Sequence, residues 1–365
     1  MSWLEVKTDK IVSNINKLSD YLEEYDVKWT LVSKVLSGNR DILEKIMTFP
    51  TLNRIHSIGD SRLSNLKVIK SIDPDIVTMY IKPPAVRYIK DVVRYADISL
   101  NSSLETVRAL NEEAKNQNRV HRIIIMVEMG ELREGVIGNK VLEFYEEIFE
   151  LSNVDVEGIG TNLGCMYGIE PTLDKLTQLA LYKQFLQAKF GRDIPLISAG
   201  SSITLPLASN KGFPKSTNHF RVGEAIFLGT TPMTGKKFKK LSTDVFKFYG
   251  NIVELKKKDM IPSGNSGEGS VGTTAGTDKY ERGDKSYRAI LDFGVLDVDM
   301  KELEPVSEHV NFVGTTSDMT VYDLGKNKTK SGKERFKVGG RIAFKPNYIA
   351  VARLMNSRFI EKRII

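Results

Sequence analysis

The sequence predicts an α/β fold: a (β/α)8 TIM barrel followed by a C-terminal mostly-β domain. Three observations carry this. Between about residues 25 and 230, eight short apolar runs alternate with helical patterns or short turns. The runs are continuously apolar, as parallel strands covered on both faces should be. After Thr231-Pro232 the pattern changes to short alternating segments. Eight units favour a closed barrel over a doubly wound sheet, which more often has fewer strands. Residues 1–234 are therefore read as the barrel and 235–365 as the second domain.

Each element has its own reason. Ile11, Ile15, Leu18 and Leu22 recur at helical spacing, so a helix is expected over 9–24. The strand from Val27 runs up to Lys34, and the chain breaks at Ser37-Gly38. A helix follows Asn39. A strand over 54–58 ends in Gly59-Asp60, and a helix opens at Ser61. Strand 76–81 precedes a helix over 85–94. Strand 98–100 ends in Asn101-Ser102, and Ser102 with Glu105 has capping-box spacing. Strand 122–127 leads into Glu128-Met129-Gly130-Glu131-Leu132-Arg133, then a helix over 140–151. Strand 156–159 enters Gly160-Thr161-Asn162, and a long helix spans 172–189. Strand 195–198 enters Ala199-Gly200-Ser201-Ser202, and strand 219–222 enters Gly223-Glu224. Beyond 241, strands are expected at 245–249, 252–255, 287–291, 311–313, 320–322 and 341–344. The Gly-, Ser- and Thr-rich stretch 263–283 reads as a long loop over a site or at an interface.

The composition excludes several classes. Hydrophobic residues make up 41% and charged ones 27%, an ordinary globular balance. No apolar run approaches a membrane span, and the opening MSWLEVKTDK is not a signal peptide. The net charge of +7 is spread thinly, in patches at 236–240, 256–258 and 358–363 without interleaved aromatics. Nucleic acid is therefore not an expected partner. Four histidines show no ligand spacing, so no metal site is expected. Cys165 stands alone, which fits a reducing, cytoplasmic location.

In a barrel, chemistry sits at the carboxyl ends of the strands. Those ends carry Lys34, Asp60 with Arg62, Asn101 with Ser102, Arg133, Asn162 with Cys165, Ser201 with Ser202, and Arg221 with Gly223. Lysine forms Schiff bases with pyridoxal phosphate and carbonyl substrates, so Lys34 is the candidate reactive amine. The alternative is a surface lysine closing a strand. Gly200-Ser201-Ser202 and Arg221-Val222-Gly223-Glu224 follow the seventh and eighth strands, where barrels commonly hold phosphate. Backbone N–H groups there bind an anion without needing basic side chains.

These residues resemble a known family. LEVKTDKIVSNINKL, LVSKVL and RVGEAIFLG are similar to the alanine racemase group of pyridoxal-phosphate enzymes. GDSRLSNL, MVEMGELREGV, GTNLGCMYG, PLISAGSSITL and VGTTSDM resemble its ornithine racemase branch. The resemblance runs nearly the whole length. It implies a pyridoxal 5'-phosphate enzyme interconverting L and D forms of ornithine or another basic amino acid by α-proton removal. It implies Lys34 as the cofactor-bearing and proton-transferring lysine, and Arg221 facing the pyridine nitrogen. Ser201, Ser202, Gly223 and Glu224 would hold the phosphate, the last two through backbone N–H, with Asn162 beside the ring. Arg133 would orient the phenolic oxygen and the substrate carboxylate. Asp318 and Met319 would reach that carboxylate from a partner subunit, so a homodimer with shared sites is implied.

The chain departs from the family at Phe293-Gly294-Val295-Leu296-Asp297, where Val295 stands at the position of the second base, a tyrosine. Racemisation needs a proton carrier opposite the lysine. Cys165, Asp297 and Tyr287 are the candidates. Gly38 also stands where the family commonly has a tyrosine. For a cationic substrate, Glu128, Glu131, Asp292 or Asp297 could pair with the side-chain amine, and spacing selects none. Two rival readings remain: an aldolase or decarboxylase using Lys34 without a second base, and a cofactor-binding protein without turnover.

Overall fold

The computed structural model describes residues 1–365 apart from 48, 49, 212, 213, 215, 265–271, 277–280 and 282; at 51 and 209–211 it describes the backbone alone. The chain forms two compact units. One is Asp9–Thr243, and the other joins Met1–Thr8 to Asp244–Ile365. The first strand, β1 (Trp3–Val6), thus goes with the C-terminal unit, and the division falls at 243/244 rather than at 234.

The first unit is the barrel. Its strands are β2 (Lys28–Val32), β3 (Ser57–Asp60), β4 (Thr78–Tyr80), β5 (Ile98–Asn101), β6 (His121–Met126), β7 (Val154–Gly160), β8 (Leu196–Ser201) and β9 (His219–Val222). Among the described residues these pair in sequence order, and β9 closes in parallel on β2. Met79, Ile98, Leu100, Ile124, Met126 and Leu196 form one buried cluster shared by β4, β5, β6 and β8. The outer helices bury the stripes their periodicity predicts; Ile11, Ile15, Leu18 and Leu22 are fully buried in helix Thr8–Glu23. Asn14 on that helix donates to Ile226 O at 2.8 Å and accepts from Ser242 N–H at 2.6 Å. Those bonds, with Tyr21 packed edge-on against Phe238, hold residues 238–242 to the barrel.

Three local boundaries differ from the sequence reading. The helix Leu104–Asn116 is capped by Ser103, whose Oγ accepts from Thr106 N–H at 3.4 Å, because β5 runs on through Asn101. Residues 50–54 form a 3-10 turn, and β3 begins only at Ser57. Strand β8 continues to Ser201, past a register shift between Ser198 and Gly200. Gly200 is required there, because a Cβ would lie 2.0 Å from the Phe220 ring.

Among the described residues the second unit is a mixed sheet with one packed helix, Tyr348–Asn356. Its strands are β10 (Phe246–Asp259), β11 (Thr273–Thr274), β12 (Lys285–Leu291), β13 (Leu303–Pro305), β14 (Asn311–Thr315), β15 (Thr320–Asp323), β16 (Arg341–Pro346) and β17 (Glu361–Ile364). The two segments expected at 245–255 are one strand, bent by a bulge between Ile252 and Glu254. β1 lies between β10 and β17, antiparallel to one and parallel to the other. Trp3 stacks on Tyr249 at 4.8 Å, with Arg363 over its ring at 4.0 Å. Phe248, Phe293, Phe344 and Tyr322 pack ring against ring beneath the sheet. The 263–283 loop lies largely outside the described residues; within it, β11 pairs with β14. Among the described residues no helix is long and apolar enough to cross a membrane.

Overpacking a filled core costs about 1–3 kcal/mol. Gly200→Ala is expected to lower the unfolding free energy by that amount, read as a lower chemical-denaturation midpoint. An unchanged midpoint would contradict the close approach of β8 to Phe220.

Candidate active site

At the carboxyl end of β2 the chain turns sharply to present Lys34. Ser33 is buried, its N–H donating to Gly59 O at 2.9 Å and its hydroxyl lying 3.3 Å from Asp60 Oδ2. Lys34 opens a one-turn 3-10 helix and is exposed, while Val35 and Leu36 are buried. Ser37 and Gly38 both take left-handed conformations, φ 55° and 68°. A Cβ at Gly38 would meet the Asn65 side chain at 2.7 Å. Asn65 in turn donates to both oxygens of Asp60, at 3.1 and 3.2 Å, and Arg62 N–H adds a bond at 2.9 Å. Asp60 is fully buried; burial raises its pKa despite these donors. The β3 end therefore grips both ends of the turn that carries Lys34.

The β8 and β9 ends meet beside it. Ser202 is buried, and its Oγ accepts from Ala225 N–H at 3.1 Å. Gly223 precedes helix Glu224–Leu228 and backs onto β2, where a Cβ would lie 3.1 Å from Val32 O. Burial pushes the Glu224 carboxyl up, and the nearby charge of Lys34 opposes that.

Arg221 stands inside the barrel, 7% exposed. Its Nη1 donates to Ser198 O at 2.7 Å and to Ser198 Oγ; its Nη2 donates to Thr161 O and Asn162 Oδ1, both at 2.8 Å. Burial pulls its pKa down to about 10, so it remains a cation at neutral pH. Asn162 passes its amide to Glu134, and Glu134 accepts from Arg133 Nη2 at 2.7 Å. A continuous path Arg221–Asn162–Glu134–Arg133 results. Glu134 was not singled out from sequence. Its only signal is a carboxylate next to Arg133, which is common on surfaces.

Glu131 is 2% exposed and accepts from the N–H groups of Cys165, Tyr167 and Ile169, all at 2.9 Å. It thus shapes the loop after β7. Burial pushes its pKa up, but the backbone donors outweigh burial and hold the carboxyl below its usual range. Cys165 is exposed in that loop, near the guanidinium groups of Arg133 and Arg221. Glu128 is turned back on its own loop, bonding the N–H groups of Gly130 and Arg133.

The remaining candidates lie in the second unit. Asp318 and Met319 occupy the turn between β14 and β15. Segment 294–297 runs beside them: Val295 N–H donates to Thr316 O and Leu296 N–H to Ser317 O, both at 3.0 Å. Val295, Leu296 and Met319 are 43%, 79% and 44% exposed. Asp297 is buried, with Oδ1 accepting from Ser357 Oγ at 2.7 Å. Asp292 bonds Ser2 and Asn251, and Tyr287 is a ladder residue of β12 opposite Lys257.

The sequence model of the alanine racemase N-terminal domain matches residues 6–231. The chain is 34% identical to ornithine racemase of Acetoanaerobium sticklandii, over 98% of this chain and 99% of that one. It is 29% identical to lysine racemase of Thermotoga maritima, over 98% and 97%. The structure matches alanine racemase of Clostridium difficile 630 with a TM-score of 0.72 at 17% identity, covering 100% of this chain and 95% of that one. It also matches D-threonine aldolase of Filomicrobium marinum, TM-score 0.70 at 11% identity, over 98% and 88%; at such identities the likeness shows the fold. The chain belongs to the alanine racemase family. Within it, the chain is an amino-acid racemase, an isomerase.

Ionised Glu131 stabilises the fold fully above the unfolded carboxylate pKa of about 4.3, and that contribution is lost as pH falls through its depressed folded value. Glu131→Gln is expected to destabilise the protein by on the order of 2 kcal/mol at pH 7. The gap to wild type should narrow below about pH 4. A gap independent of pH would contradict the anchoring role.

Proposed function

We propose that the chain is a pyridoxal 5'-phosphate-dependent racemase of ornithine or another basic amino acid, working in the cytoplasm as a homodimer with shared sites. The observation that carries this is the end-to-end 34% identity to an ornithine racemase, joined to a barrel that presents Lys34 and buries Arg221.

The residues present fit the cofactor. A phosphate needs hydrogen-bond donors and a backbone without Cβ obstruction. Ser202 has its oxygen occupied by Ala225 N–H, which leaves its proton to donate. Gly223 lies where a Cβ would press on Val32. Ser201, Ser202 and the N–H groups of Gly223 and Glu224 would hold the phosphate, and Asn162 would lie beside the ring. Arg221 can only donate, so a ring nitrogen facing it receives a hydrogen bond without a proton. Pyridoxal phosphate, when bound, supplies the electron sink that makes the α-proton of an amino acid acidic.

The chain's own groups do the rest. Lys34, on a turn fixed by Ser33, Asp60 and Asn65, would hold the cofactor and then carry a proton at Cα. Arg133, oriented by Glu134, would meet the substrate carboxylate, with Asp318 and Met319 of the partner completing that contact. The exposed apolar side chains of Val295, Leu296 and Met319 suit a face covered by a second copy. The opposite side of Cα needs its own proton carrier. Cys165 suits that task better than Asp297. Cys165 is exposed near the Arg133 guanidinium, whereas the Asp297 carboxylate holds Ser357 and its own turn.

Wild-type protein with pyridoxal phosphate is expected to convert L-ornithine to a racemic mixture, resolved by chiral chromatography. Lys34→Ala should lose the bound cofactor's visible absorbance and at least about a thousandfold of the rate, as removal of a covalent catalyst does. A colourless wild type would overturn the cofactor, and conversion undiminished in Lys34→Ala would overturn the lysine's role.

A further inference from the structure

The guanidinium of Arg221 is one end of a polar chain that runs through the barrel interior. Arg221 Nη1 donates to Ser198 Oγ. Ser198 Oγ is 2.7 Å from His219 Nδ1, and His219 Nε2 is 3.0 Å from Thr30 Oγ1. Thr30 Oγ1 is 2.7 Å from Ser57 Oγ, which is 3.2 Å from His56 Nδ1. His56 Nε2 lies 3.6 Å from Glu157 Oε1, and Arg122 Nη1 lies 3.5 Å from Glu157 Oε2. Thr30, Ser198 and His219 are fully buried and Ser57 is 1% exposed, while His56 and Glu157 lie partly open at the far end.

The guanidinium end sets an order for the bonds that follow. A guanidinium only donates. Ser198 Oγ accepts from Arg221, and His219 Nδ1 at 2.7 Å is an acceptor within reach of its one proton. Burial, with the guanidinium of Arg221 nearby, holds His219 far below its usual pKa, so the ring is neutral. A neutral ring accepting at Nδ1 must donate from Nε2. Thr30 then accepts from His219 and donates to Ser57, which donates to His56 Nδ1. At the far end His56 Nε2 faces the Glu157 carboxylate at 3.6 Å, a site that favours a proton on that nitrogen. This agrees with the order set at the guanidinium, and aligned bonds of this kind strengthen one another.

We propose that His219, with Ser198 and Thr30, is a positioning residue for Arg221, held as the Nε2–H tautomer by a hydrogen-bond chain directed from the guanidinium to His56. The chain holds the guanidinium in the plane that faces Thr161 and Asn162. This rests on the reading that Arg221 borders the cofactor. It adds four side chains that do not touch it, His219, Thr30, Ser57 and His56.

Thr30 is the place to cut. Thr30→Val keeps the shape and removes the hydroxyl; Thr30→Ser keeps the hydroxyl and leaves a small void. In 15N-histidine-labelled full-length protein without added cofactor, nitrogen chemical shifts are expected to show His219 and His56 as Nε2–H tautomers. Thr30→Val should shift His219 toward a mixture, and Thr30→Ser should not. With cofactor, Thr30→Val should lower kcat/KM by about tenfold, the effect of stranding one buried donor, and Thr30→Ser should recover most of it. A packing role predicts the reverse order, because serine leaves the void. His219 as Nδ1–H in the wild type, Thr30→Val at the wild-type rate, or Thr30→Ser as the poorer variant would each overturn the proposal. A wild type that takes up no pyridoxal phosphate would instead overturn the functional reading, and the tautomer result stands apart from it.

Discussion

A guanidinium cation sealed inside a β-barrel must have its donors met, because an unpaired buried charge costs several kcal/mol. Arg221 meets this with two backbone carbonyls, a serine and an asparagine drawn from the ends of β7 and β8. That requirement sets the geometry around it. Asn162 is fixed by accepting from Arg221, so its amide is aimed at Glu134, and Glu134 then orients Arg133. Ser198 Oγ accepts from Arg221, and the run of hydroxyls and ring nitrogens through the interior starts from it. A buried group that is a cation at neutral pH thus organises both the rim and the interior.

The Lys34 side of the site is organised differently. There the backbone sets the geometry. Two consecutive left-handed residues, Ser37 and Gly38, close the turn, and the buried Asp60–Asn65 pair holds its flanks. Rigidity on one side and a buried cation on the other suit the proposed cofactor, which would have to keep a fixed orientation while a substrate comes and goes.

Much of this was legible because barrels put chemistry at strand ends and strands announce themselves as short apolar runs. HFRV is a strand of the same length in sequence and structure, and Arg221 is conspicuous in it. Other parts depended on partners far along the chain. Trp3–Val6 has no turn or period to mark it, and it becomes a strand only by pairing with residues 246–249 and 361–364. Phe246–Asp259 reads as two strands because Gly250 and Asn251 look like a turn, but the sheet on both sides carries the ladder through. Ser103 rather than Ser102 caps its helix because β5 pairs one residue further than its apolar run. Glu131, weighed from sequence as a partner for a cationic substrate, is engaged by three backbone N–H groups that no spacing rule reveals. The polar chain through Thr30, Ser57 and His219 escaped notice because single hydroxyls inside apolar strands carry no signal until the strands are side by side.

The position of Val295 leaves the second proton carrier as the point on which the account turns. Wild-type protein with pyridoxal phosphate and L-ornithine in deuterated water tests it most directly, with α-carbon deuterium and enantiomer followed together. Deuterium is expected at Cα of the D product, with exchange from either enantiomer. Decarboxylated or cleaved product, or no exchange across a panel of amino acids, would contradict it.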